Sequence, residues 1–255
     1  MNHHRTWVIP AWTVGIALFI AVDVWAEQYR DAAQRFTLEL PEEWGLMPAD
    51  ALAAINDSAR DKVNPSVRYI GGFQLKSKPP ADPPYILIQF KPGRMEGLPF
   101  EQLELELSNR PPERLEQIDG KISDVFSTLT DGISVIERAR RRLLMRTHVV
   151  VAGFGPVTGI SCGMIGNDGL INLHCYSREA EFTQYLPAFE AIADSFRFDP
   201  GFEYVPPSPP PSQSPVTWPD MAGGLVGAIF GAVFAGVAVA VCWFLGKLVR
   251  KSRLQ

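Results

Sequence analysis

The feature that most constrains this chain is a run of 25 residues without a charge, from 221 to 245. At about 1.5 Å rise per residue such a run would be ~37 Å long as a helix, enough to cross a ~30 Å hydrocarbon core. Trp218 and Trp243 sit near its ends, and Lys247, Arg250, Lys251 and Arg253 follow it. Indole rings favour the membrane interface, and flanking positive charge marks the cytoplasmic side. The pattern predicts a transmembrane helix over 221–246 and a basic cytoplasmic tail over 247–255. Gly223, Gly227 and Gly231 recur every four residues, with Ala235 continuing the row. Small residues on one stripe let two helix backbones approach closely. Self-association through the span is therefore expected, beside the plainer reading that glycine and alanine are common in spans.

The other end points to the same compartment. A short basic start ending at Arg5, an apolar stretch to Val22 and small residues before Glu27 describe a signal peptide over 1–26. Asp23 and Pro10 interrupt that stretch, so an uncleaved signal anchor stays open. Either reading sends residues 27–204 across the membrane, to the periplasm if the source is bacterial. Residues 205–220 are dense in proline, which can neither pair in a sheet interior nor continue a helix. They are expected to form an extended stalk of up to roughly 45 Å at about 3.1 Å per residue. The localisation expected is single-pass after signal cleavage, with the main domain outside the cytoplasm.

Charge narrows the partners. The net charge is −4, yet Arg5, Lys247, Arg250, Lys251 and Arg253 all lie outside 27–204, with only Asp23 and Asp220 to offset them. The middle region is therefore more acidic than the whole. An acidic domain repels phosphate backbones, so nucleic acid is excluded as a partner.

Within the domain, Phe36, Leu38 and Leu40 alternate with polar residues, the mark of a half-buried strand. Residues 48–61 read as a helix with Leu52 and Ile55 inward. Strands are expected at 69–75, 85–90, 133–137 and 143–153. Pro111 and Pro112 open a helix carrying Leu115, Ile118, Ile122, Val125 and Leu129 on one stripe, with Gly132 past its end. Residues 157–165 and 170–176 form a hairpin around Asp168-Gly169, and 183–196 a closing helix. The fold class expected is α+β, an antiparallel sheet covered by helices, plus the transmembrane helix.

The phrases Phe36-Thr-Leu-Glu-Leu-Pro-Glu-Glu-Trp44 and Ala193-Asp-Ser-Phe-Arg-Phe198 resemble the Mog1/PsbP-like fold, including DcrB-type bacterial members. The resemblance covers about residues 34–198. It implies an α/β/α sandwich and a binding or assembly-accessory role rather than catalysis. The C-terminal stalk and span are additions to that pattern.

Three groups could carry chemistry. Gly159-Ile160-Ser161-Cys162-Gly163 matches the G-x-S-x-G nucleophile elbow, but an elbow needs strand, sharp turn and helix, whereas Ser161 is followed by more strand. His148 and His174 have no acidic or cysteine partner at ligand spacing, so no metal and no cofactor is expected. Arg138, Arg140, Arg141, Arg142 and Arg146 form a basic run suited to an acidic partner or lipid headgroups, or else to a solvated sheet edge.

Cys162 and Cys175 share one face of the hairpin. With Asp168-Gly169 as the two-residue loop they stand opposite each other, and a disulfide is expected; a loop of Asn167-Asp168 would instead set Cys162 against Leu173. The alternative is two buried free thiols. The function expected is that of a membrane-tethered, non-enzymatic interaction or assembly-accessory module, its partner another envelope protein. A carrier of a small apolar ligand or lipid, and a serine hydrolase at Ser161, are the rival readings.

Overall fold

The computed structural model describes residues 27–62, 67–93, 126–151 and 155–205. Strands β1 (Glu27–Asp31), β2 (Phe36–Leu40) and β10 (Arg197–Phe198) make a small antiparallel sheet in the order β1-β2-β10. A larger antiparallel sheet of seven strands contains β3 (Trp44–Leu46), β4 (Tyr69–Leu75), β5 (Tyr85–Pro92), β6 (Phe126–Glu137), β7 (Arg142–Val151), β8 (Gly155–Ile165) and β9 (Gly169–Arg178). Its order is β3-β4-β5-β9-β8-β7-β6. Helix α1 spans Ala49–Lys62 and helix α2 spans Glu179–Ser195.

Alternation along the strands decides what each face meets. Phe73, Leu75, Ile86, Ile88, Cys162, Met164, Ile171, Leu173 and Cys175 point to one side, where Phe182, Phe189, Ile192 and Ala193 of α2 and Phe36, Leu38 and Leu40 of β2 complete a single core. Removal of that apolar surface from water is the main force holding the layers together. Aromatic rings tie the elements across this core. Phe36 stacks on Phe196 at 5.0 Å, and Trp44 meets Phe189 edge-on at 5.8 Å. The opposite face of the large sheet carries Gln89, Asn172, His174 and Ser161, and these are buried too.

Several expectations are corrected. No helix among the described residues is long and apolar enough to cross a membrane. The expected span at 221–246, with Gly223, Gly227 and Gly231, and the segments 1–26 and 206–220 lie outside the described residues. The described fold is thus a sandwich without an added transmembrane helix. The membrane tether, self-association through a span, and single-pass localisation have no element in it to rest on.

The helix expected from Pro111 to Leu129 is corrected where it is described: Phe126–Glu137 is strand β6, antiparallel to β7, with Leu129 opposite Val149. Gly132, read as a helix end, falls where the register shifts between Asp131 and Ser134. A glycine at a bulge serves that irregularity as well as it serves a helix cap.

The disulfide is corrected as well. The hairpin turns on Asn167-Asp168, since Ile165 pairs with Leu170 and the Gly166 N–H donates to the Gly169 carbonyl at 2.9 Å. Cys162 then stands opposite Leu173, and Cys175 opposite Ile160. The two thiols share the core face on diagonal positions, both free and both buried. Burial pushes the Cys162 thiol up to about 12, partly countered by Arg142, and raises Cys175 as well. Alkylation under denaturing, non-reducing conditions is expected to label both; protection of the pair would show a bridge.

Candidate functional site

The first site to weigh is the one around Ser161. Strand pairing sets Ser161 of β8 opposite His174 of β9, and His174 opposite Leu87 of β5. Ser161 Oγ lies 2.8 Å from His174 Nδ1, and His174 Nε2 lies 3.4 Å from Gln89 Oε1. The amide oxygen only accepts, so Nε2 carries the proton and Nδ1 accepts from the serine hydroxyl. Burial, with a further push from Lys91, drives the His174 pKa down to about 3 and holds the ring neutral.

A serine bonded to a neutral imidazole is half of a nucleophile–base pair. Among the described residues, the rest of the machinery is missing from this geometry. Ser161 sits in mid-strand, flanked by paired strands on both sides, and His174 is fully buried. An amide occupies the position where a carboxylate would orient the imidazole. A carbonyl carbon cannot reach the hydroxyl. The pair is a buried polar tie between strands, and Asn172 beside it has neither amide atom hydrogen-bonded among the described residues.

The second site gathers around the arginine run. Arg138 and Arg140 belong to a single 3-10 turn, Arg138–Arg140, and Arg141 adopts a left-handed backbone with φ of 51° before β7 begins. Alternation along β7 then points Arg142 and Arg146 towards α2. Arg142 is buried and held by Glu137 Oε2 and Asp194 Oδ1, both at 2.5 Å. Burial alone would lower its pKa, but the hydrogen bonds to those carboxylates raise it. Arg140 shares Asp194 at 2.9 Å, and Arg141 Nη1 donates to the Tyr204 carbonyl at 2.9 Å. Arg197 Nη1 donates to the carbonyls of Asp194 and Phe196, each at 2.6 Å. Cations at this end of α2 face the negative end of its dipole.

Beside these guanidinium groups lies a cavity of about 580 Å³ with Met164, Ile165, Phe196 and Phe198 among its apolar walls. Arg140, Arg141, Arg142 and Arg197 line it, with Asp194 and Glu203 as the acidic members. The run is therefore split by the fold. Arg140, Arg141 and Arg142 come together at the cavity, Arg146 goes to the other end of α2 and lies 5.0 Å over the Phe182 ring, and the Arg138 side chain lies outside the described residues. Arg197, Glu203 and Tyr204 join from the far end of the domain, and nothing in their spacing announced it. His148 contacts Thr158 at 3.4 Å and Glu179 at 3.5 Å, and no group of three or more His, Cys, Asp or Glu among the described residues is placed to hold a metal.

No protein-family model matches this chain. No curated protein matches it in sequence either. Solved structures are similar to it in the course of the chain at low identity. Cyanobacterial PsbP (CyanoP) from Synechocystis sp. PCC 6803 is 11% identical with a TM-score of 0.43, over 75% of this chain and 98% of that one. LpqN of Mycobacterium tuberculosis, involved in cell envelope biogenesis, is 14% identical with a TM-score of 0.39, over 69% and 91%. PA94, a protein of unknown function from Pseudomonas aeruginosa, is 12% identical with a TM-score of 0.26, over 65% and 91%.

Proposed function

We propose that this chain is a non-enzymatic binding module that docks an acidic segment of a partner protein in the arginine-lined groove. The observation that carries the reading is the union of Arg140, Arg141 and Arg197, all exposed, with an apolar floor of Met164, Ile165, Phe196 and Phe198. Guanidinium groups present several donors each and recognise carboxylates in a fixed fork geometry. Arg140 and Arg141 each use Nη1 in the bonds already described, which leaves further N–H groups to meet an incoming carboxylate. The apolar floor supplies desolvated contact area, the usual origin of affinity at an interface core. The pair at Ser161, closed inside the sheet, offers no competing catalytic reading.

Fluorescence anisotropy with a labelled acidic peptide, about twelve residues long with one phenylalanine among aspartates and glutamates, tests the reading. The peptide is expected to bind the protein saturably, with affinity falling as salt rises. Arg140→Glu with Arg141→Glu is expected to weaken binding at least tenfold, as like charges now face the peptide. Equal binding to wild type and double variant would overturn the groove as the docking site.

A further inference from the structure

A second, smaller cavity adjoins the groove. It measures about 290 Å³ and is walled by Phe90, Ile171, Phe198 and Phe202, with Arg35 and Asp168 among its polar members. Phe198 belongs to both linings, and Gly166 of the small cavity follows Ile165 of the large one. The two are neighbouring compartments that share Phe198 in their walls. The Arg35 guanidinium lies 4.2 Å over the ring of Phe202, and both residues line the smaller one.

The backbone adds an independent observation. Among the described residues, three that are not glycine have positive φ: Arg35 at 56°, Ala81 at 60° and Arg141 at 51°. Two of the three are arginines, and each lines one of the adjoining cavities. A side chain with a Cβ is disfavoured in this left-handed region, and glycine or asparagine would serve the turn better. Local strain of this kind concentrates where a side chain is needed for something other than folding.

We infer that the smaller cavity is an anchor pocket for one aromatic or large aliphatic side chain of the same docked segment, with Arg35 and Arg141 as the cations that bracket it. The inference rests on the proposed reading of the groove and adds its specificity. The segment must carry an apolar residue near carboxylates, so that the ring enters between Phe90, Phe198 and Phe202 while the acids meet Arg35 on one side and Arg140 and Arg141 on the other. Asp168, Asp194 and Glu203 line the same surfaces and repel extra acids, which favours a few placed carboxylates over a uniformly acidic strand.

The test compares two labelled peptides that differ only in phenylalanine against serine, on four forms of the full chain: wild type, Phe202→Ser, Arg35→Gly and Arg141→Gly. Wild type is expected to prefer the phenylalanine peptide by about tenfold or more, since a buried ring loses a large apolar surface to the pocket. Phe202→Ser is expected to reduce that preference towards unity. Arg35→Gly and Arg141→Gly are expected to keep or raise the urea midpoint while weakening both peptides, which separates binding from folding even if Phe202→Ser destabilises the chain. Equal affinity of the two peptides for wild type would overturn the anchor pocket. If Arg140→Glu with Arg141→Glu still abolished that binding, the groove would stand. Unchanged binding in the two glycine variants would overturn the role given to Arg35 and Arg141. Failure of both peptides to bind wild type would remove the groove and the pocket together.

Discussion

Urea titrations at a series of pH values are expected to show stability falling as pH drops below 6.5, with a slope approaching about 1.4 kcal/mol per pH unit. The cause is His174. Its ordinary pKa of 6.5 is lowered to about 3 by burial and by Lys91. Between these values the unfolded chain binds a proton that the folded chain refuses, so lowering the pH favours unfolding. The contribution is fully present above 6.5 and is lost progressively down to about pH 3, where the loss would total about 5 kcal/mol. The informative interval is pH 6.5 to 5, the upper part of the window set by His174. His174→Gln, which retains a hydrogen-bonding side chain but does not titrate there, is expected to flatten the curve over that interval whatever its stability at pH 8. An unchanged slope in the variant would show that His174 is not the group responsible.

Phe189→Ala is expected to cost about 3–5 kcal/mol, the range for deleting a buried aromatic side chain from a packed core. Phe189 is 1% exposed, meets Trp44 at 5.8 Å and lies 6.3 Å from Phe182. It also anchors a helix with an internal weakness. Pro187 lies inside α2, where proline removes a backbone hydrogen bond and crowds the preceding turn. The helix is therefore held more by its packing than by its own propensity. Against a typical domain stability of about 5–15 kcal/mol, the loss leaves a marginal protein. Glu190→Ala, one residue on and exposed, is expected to stay within about 0.5 kcal/mol of wild type. A shift below about 1 kcal/mol for Phe189→Ala would mean that α2 does not close the core in this way.

The strand at 36–40 is legible because alternation of apolar and polar residues reports a core face directly, whereas 69–75 and 85–90 are legible as short, largely apolar runs that the sheet buries on both faces. The turn of the β8–β9 hairpin is legible in position but not in register. Asp168-Gly169 is a strong turn signal, yet Gly169 is required for a different reason. A Cβ at that position would lie 2.2 Å from the Lys91 carbonyl oxygen, so the glycine permits close approach of β5 and does not form the loop. That single displacement moved every pair by two residues, predicted a disulfide that the chain lacks, and hid the contact between Ser161 and His174. Strand β1 went unseen because its five residues, Glu27–Asp31, are mostly polar and exposed and carry no alternation. The groove was half legible. The arginine run pointed to it, but Arg197 and Tyr204 reach it only through the packing of segments far apart in the chain.

Selection of random peptides displayed on phage against the folded protein tests the central claim most directly, because it presupposes no partner. The account predicts enrichment of segments with one aromatic or large aliphatic residue set among aspartates and glutamates, and loss of their binding to the Arg140→Glu, Arg141→Glu variant. Enriched segments that are basic or indifferent in charge, or that bind the reversed variant as well as the wild type, would contradict it.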